Sequence, residues 1–296
     1  MFSGLVAFPL TPVRQEKIDE RAFVGLLDRL VTARVDSICA LGSTGSSPYL
    51  TRAERARATQ VTLERAGDIP VIVGVGALAT RDVLTLTEDA QKAGVKAVLL
   101  APVSYHKLTA DEVYGLYETV ARNLSVPLIV YDNPFVAHFE FSDELHGRIA
   151  QLPNVVAAKV PAIEGSLDTI KARMQSLRQL VPANVSIGSS GDPAAARWML
   201  AGCDAWYSVI GGLFPDVALQ IIRAARAGDV QETERLSQRL TPIWELMNKF
   251  SHVRVVAAAA ELRGLVEHPS LLGPVRALEG PARSALAKAL DELELA

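Results

Sequence analysis

The stretch "VVAAKVPA" (residues 155–162) sets one lysine, Lys159, inside a run of small and β-branched apolar residues. Lysine is among the residue types least often buried, because its ammonium loses hydration there. The run is nearly continuous in hydrophobicity rather than alternating, the pattern of a strand covered on both faces in a parallel sheet. Seven further segments share that character and close on small or turn-forming residues. They are "SGLVAFPLTP" (3–12), "SICALGSTG" (37–45), "PVIVGVGA" (70–77), "KAVLLAPV" (96–103), "PLIVYDNP" (127–134), "VSIGSSGD" (185–192) and "AWYSVIGG" (205–212).

Helix signals fall between them. Thr51 with Glu54, and Thr109 with Glu112, have the Thr-x-x-Glu spacing of a capping box. Asp192-Pro193 reads as an N-cap followed by proline at the first helical position, with Gly202 ending that helix. In "IDERAFVGLLDRLV", Phe23, Leu26, Leu27 and Leu30 share one face. Eight β-then-α units, spaced by roughly 20 to 35 residues, predict an α/β protein built as a closed (β/α)8 TIM barrel. Strand signals stop after "PDVALQIIRAARAGD". The expected organisation is a catalytic barrel over residues 1–224 and a C-terminal helical domain over 225–296.

The chain of 296 residues is 49% hydrophobic with a net charge of −3, ample for a large core. Balanced charge and the lack of a Lys/Arg-rich tract argue against nucleic acid and acidic membrane surfaces as partners. The start "MFSGLVAFPLTP" does not read as a signal peptide, and no apolar run approaches the roughly 20 residues that span a bilayer. The expectation is a cytoplasmic protein. Cys39 and Cys203 sit among apolar neighbours and read as buried free thiols.

Lys159 lies near the C-terminal end of the sixth strand, the barrel face where chemistry gathers. Its position suits a structural ion pair with a neighbouring carboxylate or an amine nucleophile that forms an iminium with a ketone. At an unperturbed pKa of about 10.4, about 0.04% of a lysine is free amine at pH 7. Burial among Val, Ala and Pro disfavours the ammonium and makes the free amine common. The fifth strand ends "YDNP" and presents Tyr131 beside the sixth. The second ends "GSTGSS", whose hydroxyls (Ser43, Thr44) and amides suit a carboxylate.

Taken together, "GLVAFPLTP", the "GSTGSS" turn, Tyr131-x-x-Pro134, the Lys159 strand, "SSGD" and "GCDAWYSVIGGLFP" give the whole chain a resemblance. It is similar to the dihydrodipicolinate synthase/N-acetylneuraminate lyase family, with the motifs in family order and spacing. The resemblance implies a barrel with a C-terminal helical domain, acting as a class I (Schiff-base) lyase on pyruvate or a longer 2-keto acid. By the same analogy Lys159 attacks the ketone carbon, Tyr131 relays protons and Thr44 extends the relay. Ser43 and the turn amides, Gly45 included, hold the carboxylate, and the Tyr207 carbonyl lies near the amine. A second tyrosine arrives from a neighbouring subunit, with Tyr105 in "APVSYHK" the candidate. Relatives assemble as dimers or tetramers, so a homodimer or homotetramer is implied. The iminium serves as the electron sink, so no metal and no cofactor are expected, and the five histidines show no metal-ligand spacing.

Three departures from the family stand out. Synthases usually carry an arginine where this chain has Val136, and valine cannot imitate a bidentate guanidinium. They usually follow the Thr-Gly turn with glutamate, and here the residue is Ser46. The histidine and asparagine positions of their lysine-feedback site are Arg52, Arg55 and Leu78. Phe135, Val136 and Phe139 predict a more apolar second-substrate pocket, with His138 a polar contact. The favoured expectation is therefore an aldolase or dehydratase of 2-keto acids outside the synthase proper. The alternatives are the synthase itself, condensing pyruvate with aspartate semialdehyde, and a catalytically silent keto-acid-binding homologue. A dinucleotide-binding reading of "GVGALA" (74–79) lacks the acidic residue that such a fingerprint needs on the next strand.

Overall fold

The computed structural model describes residues 2–296. The eight apolar runs form eight parallel strands: β1 (Gly4–Ala7), β2 (Ser37–Ala40), β3 (Val71–Gly74), β4 (Ala97–Leu100), β5 (Leu128–Tyr131), β6 (Val155–Pro161), β7 (Ser186–Ser190) and β8 (Ala205–Ser208). They pair in sequence order and close, β1 bonding to both β2 and β8. The barrel of the sequence reading is the barrel observed. Continuous hydrophobicity has its cause in two separate apolar layers. Val6, Phe8, Cys39, Ile72, Leu99, Ile129 and Tyr207 fill the barrel interior. Leu5, Ile38, Val73, Val98, Val130, Ile187 and Trp206 point outward against the helices.

Helices α1 (Glu20–Ala33), α2 (Arg52–Ala66), α3 (Thr80–Ala93) and α4 (Ala110–Arg122) follow the first four strands. In α1, Phe23, Leu26, Leu27 and Leu30 are buried together. Both Thr-x-x-Glu sequences form complete capping boxes, each threonine accepting from the N3 amide while the glutamate accepts from the threonine amide. Two helices follow β5: a single turn, α5 (Pro134–Ala137), and α6 (Asp143–Ala150). After β6 and β7 come α7 (Leu167–Leu180) and α8 (Asp192–Leu200).

Asp192 departs from its N-cap reading. The N-cap residue of α8 is Gly191, and the Asp192 carboxylate is buried, accepting from Trp206 Nε1 (2.8 Å) and the amides of Ile210 (2.7 Å) and Val209 (3.3 Å). Three donors on the β8 side outcompete local capping, and they tie the end of β7 to the loop beyond β8. A hairpin of two-residue strands, Val13–Arg14 with Lys17–Ile18, lies outside the barrel sheet.

Helix α9 (Pro215–Arg226) completes the eighth unit and carries the chain two residues past the division expected from sequence. Helices α10 (Val230–Arg239), α11 (Thr241–Phe250), α12 (His252–Leu262) and α13 (Gly280–Glu292) follow, with no strand among them. Cys39 and Cys203 are free and buried, and burial pushes both thiols up to about 12. No described helix is long and apolar enough to cross a membrane.

Candidate active site

Strand register brings the first two site residues together. Tyr131 on β5 is paired with Lys159 on β6, and Lys159 with Gly188 on β7, so one row across three strands faces the interior near its C-terminal end. Gly188 has a steric reason to be glycine: a Cβ there would lie 2.1 Å from Cε2 of the Tyr207 ring. The ring occupies the space that the missing side chain leaves.

Lys159 is 2% exposed. Its Nζ lies 4.0 Å from the ring centre of Phe8, 4.1 Å from that of Tyr131 and 5.8 Å from that of Tyr207. Aromatic faces give a cationic nitrogen partial replacement for lost water. No carboxylate pairs with this amine among the described residues, whose buried ion pairs lie elsewhere. The structural ion pair has no partner here.

The Tyr131 hydroxyl has two partners. Asn133 Nδ2 donates to it at 2.8 Å, and Ser43 Oγ lies 3.1 Å away. Asn133 is held in turn, its Oδ1 accepting from the Phe135 amide as the N-cap of α5. Sequence reading misses Asn133, although the "YDNP" run carries its signal, an asparagine N-cap followed by proline. With Asn133 donating, the phenol keeps its own proton for Ser43 or for a substrate.

Ser43 stands on a tight turn. Leu41 and Ser46 are left-handed at φ 58° and 52°, and the Ser46 amide bonds to the Ser43 carbonyl. The amides of Ser43 and Thr44 donate to no backbone acceptor among the described residues, which leaves them free for an anion. Gly45 is buried in the same turn, where a Cβ would meet the Leu41 amide nitrogen at 2.9 Å. Thr44 is buried too, but the hydroxyl that meets Tyr131 belongs to Ser43, one residue before the relay position of the sequence reading. Behind the turn, Gly74 approaches so closely that a Cβ would lie 2.0 Å from the Leu41 carbonyl oxygen. Arg55 donates to the carbonyls of Gly74 (2.8 Å) and Gly76 (3.2 Å), and burial lowers this guanidinium to about 10, still charged at neutral pH.

Tyr207 contributes its ring to the interior, and its hydroxyl is enclosed without a partner; burial pushes that phenol up. Tyr105 lies apart, 89% exposed and edge-on to His106. The residues expected to line an apolar second-substrate pocket lie on α5 and just after it. Phe135 and Val136 are exposed on α5, and His138 is exposed after it. Phe139 is a correction: the left-handed His138 (φ 55°) reverses the chain and turns Phe139 into the core, edge-on to Phe141 at 5.1 Å. Of the feedback-site positions, Arg52 pairs with Asp89, Arg55 is buried and Leu78 is exposed.

A buried pair next to Tyr131 is also absent from the sequence reading. Asp132 Oδ2 lies 3.0 Å from His146 Nε2, joining the end of β5 to α6. Burial raises the Asp132 carboxyl despite the histidine. Among the described residues no group of three His, Cys, Asp or Glu is placed to hold a metal ion.

Comparison with known proteins extends this geometry to the whole chain. The model of the dihydrodipicolinate synthetase family matches residues 1–293. The 4-hydroxy-tetrahydrodipicolinate synthase of Methylococcus capsulatus is 30% identical over 99% of both chains. A crystal structure of dihydrodipicolinate synthase from Agrobacterium tumefaciens superposes with a TM-score of 0.94 at 41% identity, covering 99% of this chain and 98% of that one. The chloride-inhibited dihydrodipicolinate synthase of Acinetobacter baumannii, solved with pyruvate, gives a TM-score of 0.88 at 27% identity over 99% of both chains.

Proposed function

We propose a function from one premise: this chain belongs to the dihydrodipicolinate synthetase family. It is then an enzyme of the class I aldolase type, and the finer reading is an aldolase or dehydratase acting on pyruvate or a longer 2-keto acid. The observation that carries this reading is the Lys159 amine, enclosed by three aromatic rings, unpaired with any carboxylate and in register with Tyr131.

In this mechanism Lys159 Nζ adds to the C2 ketone, and a proton passes through Tyr131 to the departing carbinolamine oxygen. Water leaves and the iminium forms. Its nitrogen accepts the electron pair when a C–C bond breaks or a proton leaves C3, and Tyr131 handles that proton. Ser43 and Asn133 orient the phenol from opposite sides, while the Ser43 and Thr44 amides hold the C1 carboxylate. No metal or cofactor takes part in this scheme.

A second reading, the synthase, rests on the activity of the relatives described above. Against it, the position of the family's carboxylate-binding arginine is an exposed valine, Val136, beside the exposed Phe135. The proposal includes a cytoplasmic homodimer or homotetramer with Tyr105 serving a neighbouring site. Its exposure and that of Tyr49 and Leu78, on the loops after β4, β2 and β3, support an interface there.

The test is borohydride reduction with a panel of 2-keto acids, read as intact mass, with a coupled assay of pyruvate and aspartate semialdehyde alongside. Adducts with wild type and none with Lys159→Ala support the reading. No adduct with any acid favours the silent homologue, and ready turnover in the coupled assay restores the synthase.

A further inference from the structure

Asp132 and His146 are each 4% exposed and meet at 3.0 Å, Oδ2 to Nε2, between β5 and α6. Such a pair is a weak source of stability, because both groups lose their hydration. Here the cost shows: burial raises the Asp132 carboxyl and outweighs the opposing pull of the histidine. Asp132 Oδ1 and His146 Nδ1 are enclosed with no hydrogen-bond partner among the described residues, which adds to that cost. Nor does α6 need the pair to stay docked. Asp143 pairs with Arg173 of α7, Leu145 and Ile149 are buried, and the His146 ring stacks on Phe141 at 4.9 Å between centres.

The pair is joined instead to the catalytic end of β5. Asp132 stands between Tyr131, which faces the barrel interior, and Asn133, whose Nδ2 donates to the Tyr131 hydroxyl at 2.8 Å. Its own amide donates to the Lys159 carbonyl at 3.0 Å. One residue is therefore tied to the strands of Tyr131 and Lys159 through its backbone, and to α6 through its side chain. Asn133 has little other support, since it caps α5, a helix of four residues, too short to hold its own start in place. We propose that Asp132 and His146 are positioning residues: their hydrogen bond sets the backbone at the end of β5 so that Asn133 holds the Tyr131 hydroxyl ready for proton transfer. The proposal rests on the Schiff-base reading above. Side chains alternate along a strand, so Asp132 turns outward to α6 where Tyr131 turns inward. Acting from behind the strand, the pair governs rate rather than binding.

Two measurements separate rate from binding: deuterium exchange at C3 of a saturating 2-keto acid, followed by NMR, and the concentration that half-saturates borohydride trapping. The probe is pyruvate or, if wild type traps it better, 2-oxobutanoate. Wild type is compared with His146→Gln, His146→Phe and the double variant Asp132→Leu/His146→Phe, because apolar replacement of a whole buried pair commonly keeps the fold. His146→Phe and the double variant should exchange about tenfold more slowly, with the half-saturating concentration unchanged. His146→Gln, which still donates to Asp132, should recover most of the rate. Adding Asn133→Ala to His146→Phe should cost little further, because both changes act on one hydroxyl. Unchanged exchange in the folded variants, losses that multiply with Asn133→Ala, or a half-saturating concentration that rises as the rate falls overturns the inference and leaves the pair as packing. Failure of both His146→Phe and the double variant to fold overturns it as well. So does wild-type trapping without exchange, since no proton then passes through Tyr131. If wild type traps neither acid, the Schiff-base reading itself falls and this inference with it; trapping and exchange that the variants leave unchanged keep that reading standing.

Discussion

Lys159 and Tyr131 owe their partnership to register, and their neighbours fix how each behaves. Tyr131→Phe keeps the ring over Nζ and removes the hydroxyl that Ser43 and Asn133 hold. Hydrogen–deuterium exchange at C3 of pyruvate, followed by NMR, should slow by about 10²-fold or more in that variant, since positioned acid–base groups contribute on that scale. Unchanged exchange would assign proton transfer to another group. Asn133→Ala should give a smaller loss in the same assay, because it orients the phenol without carrying the proton. At this scale the sequence is legible where chemistry demands an unusual residue, as a lysine in an apolar strand does. It is less legible where geometry chooses between neighbours. Ser43 and Thr44 both offer a hydroxyl, and only the backbone of the turn decides that Ser43 faces Tyr131. Asp192 shows the same limit, since its three partners lie on and beyond β8.

Elements were readable because their patterns are local. Apolar runs gave the strands, and the Thr-x-x-Glu spacing gave the starts of α2 and α4. Thr51→Ala should lower stability by about 1 kcal/mol, the usual loss for such a cap, measured by urea denaturation. The single-turn α5 escaped that reading: four residues are too few to show a period, and its end depends on His138 adopting φ 55°. The consequence is concrete, since Phe139 packs in the core while Phe135 remains exposed. Between strands, Gly188→Ala should destabilise the barrel by about 1–3 kcal/mol, an overpacking cost, because its methyl group would meet the Tyr207 ring. A variant as stable as wild type in urea would mean that the ring moves aside freely.

Over the whole molecule, the C-terminal helices carry a buried polar network as well as apolar packing. Within those helices Glu261 accepts from Arg283, from the Ser270 hydroxyl and amide, and meets His268. Burial alone would raise this carboxyl, but the hydrogen bonds from Arg283, Ser270 and His268 outweigh it and leave it below its ordinary 4.5. A group whose folded value is depressed contributes stability above its unfolded value, and that contribution is lost as the pH falls through the folded one. Melting temperature should therefore fall more steeply below pH 4.5 in wild type than in Glu261→Gln, which carries no such titration. Parallel curves would remove Glu261 from the acid response. Long-range links of this kind have no short-range signature in the chain.

Everything functional here converges on the nitrogen of one side chain. The most direct measurement is peptide mapping by tandem mass spectrometry after pyruvate and borohydride have been added to the wild-type protein. A single reduced adduct, on Nζ of Lys159, is the expected result. An adduct on a different lysine, or an unmodified Lys159 peptide under conditions of full turnover, would contradict it.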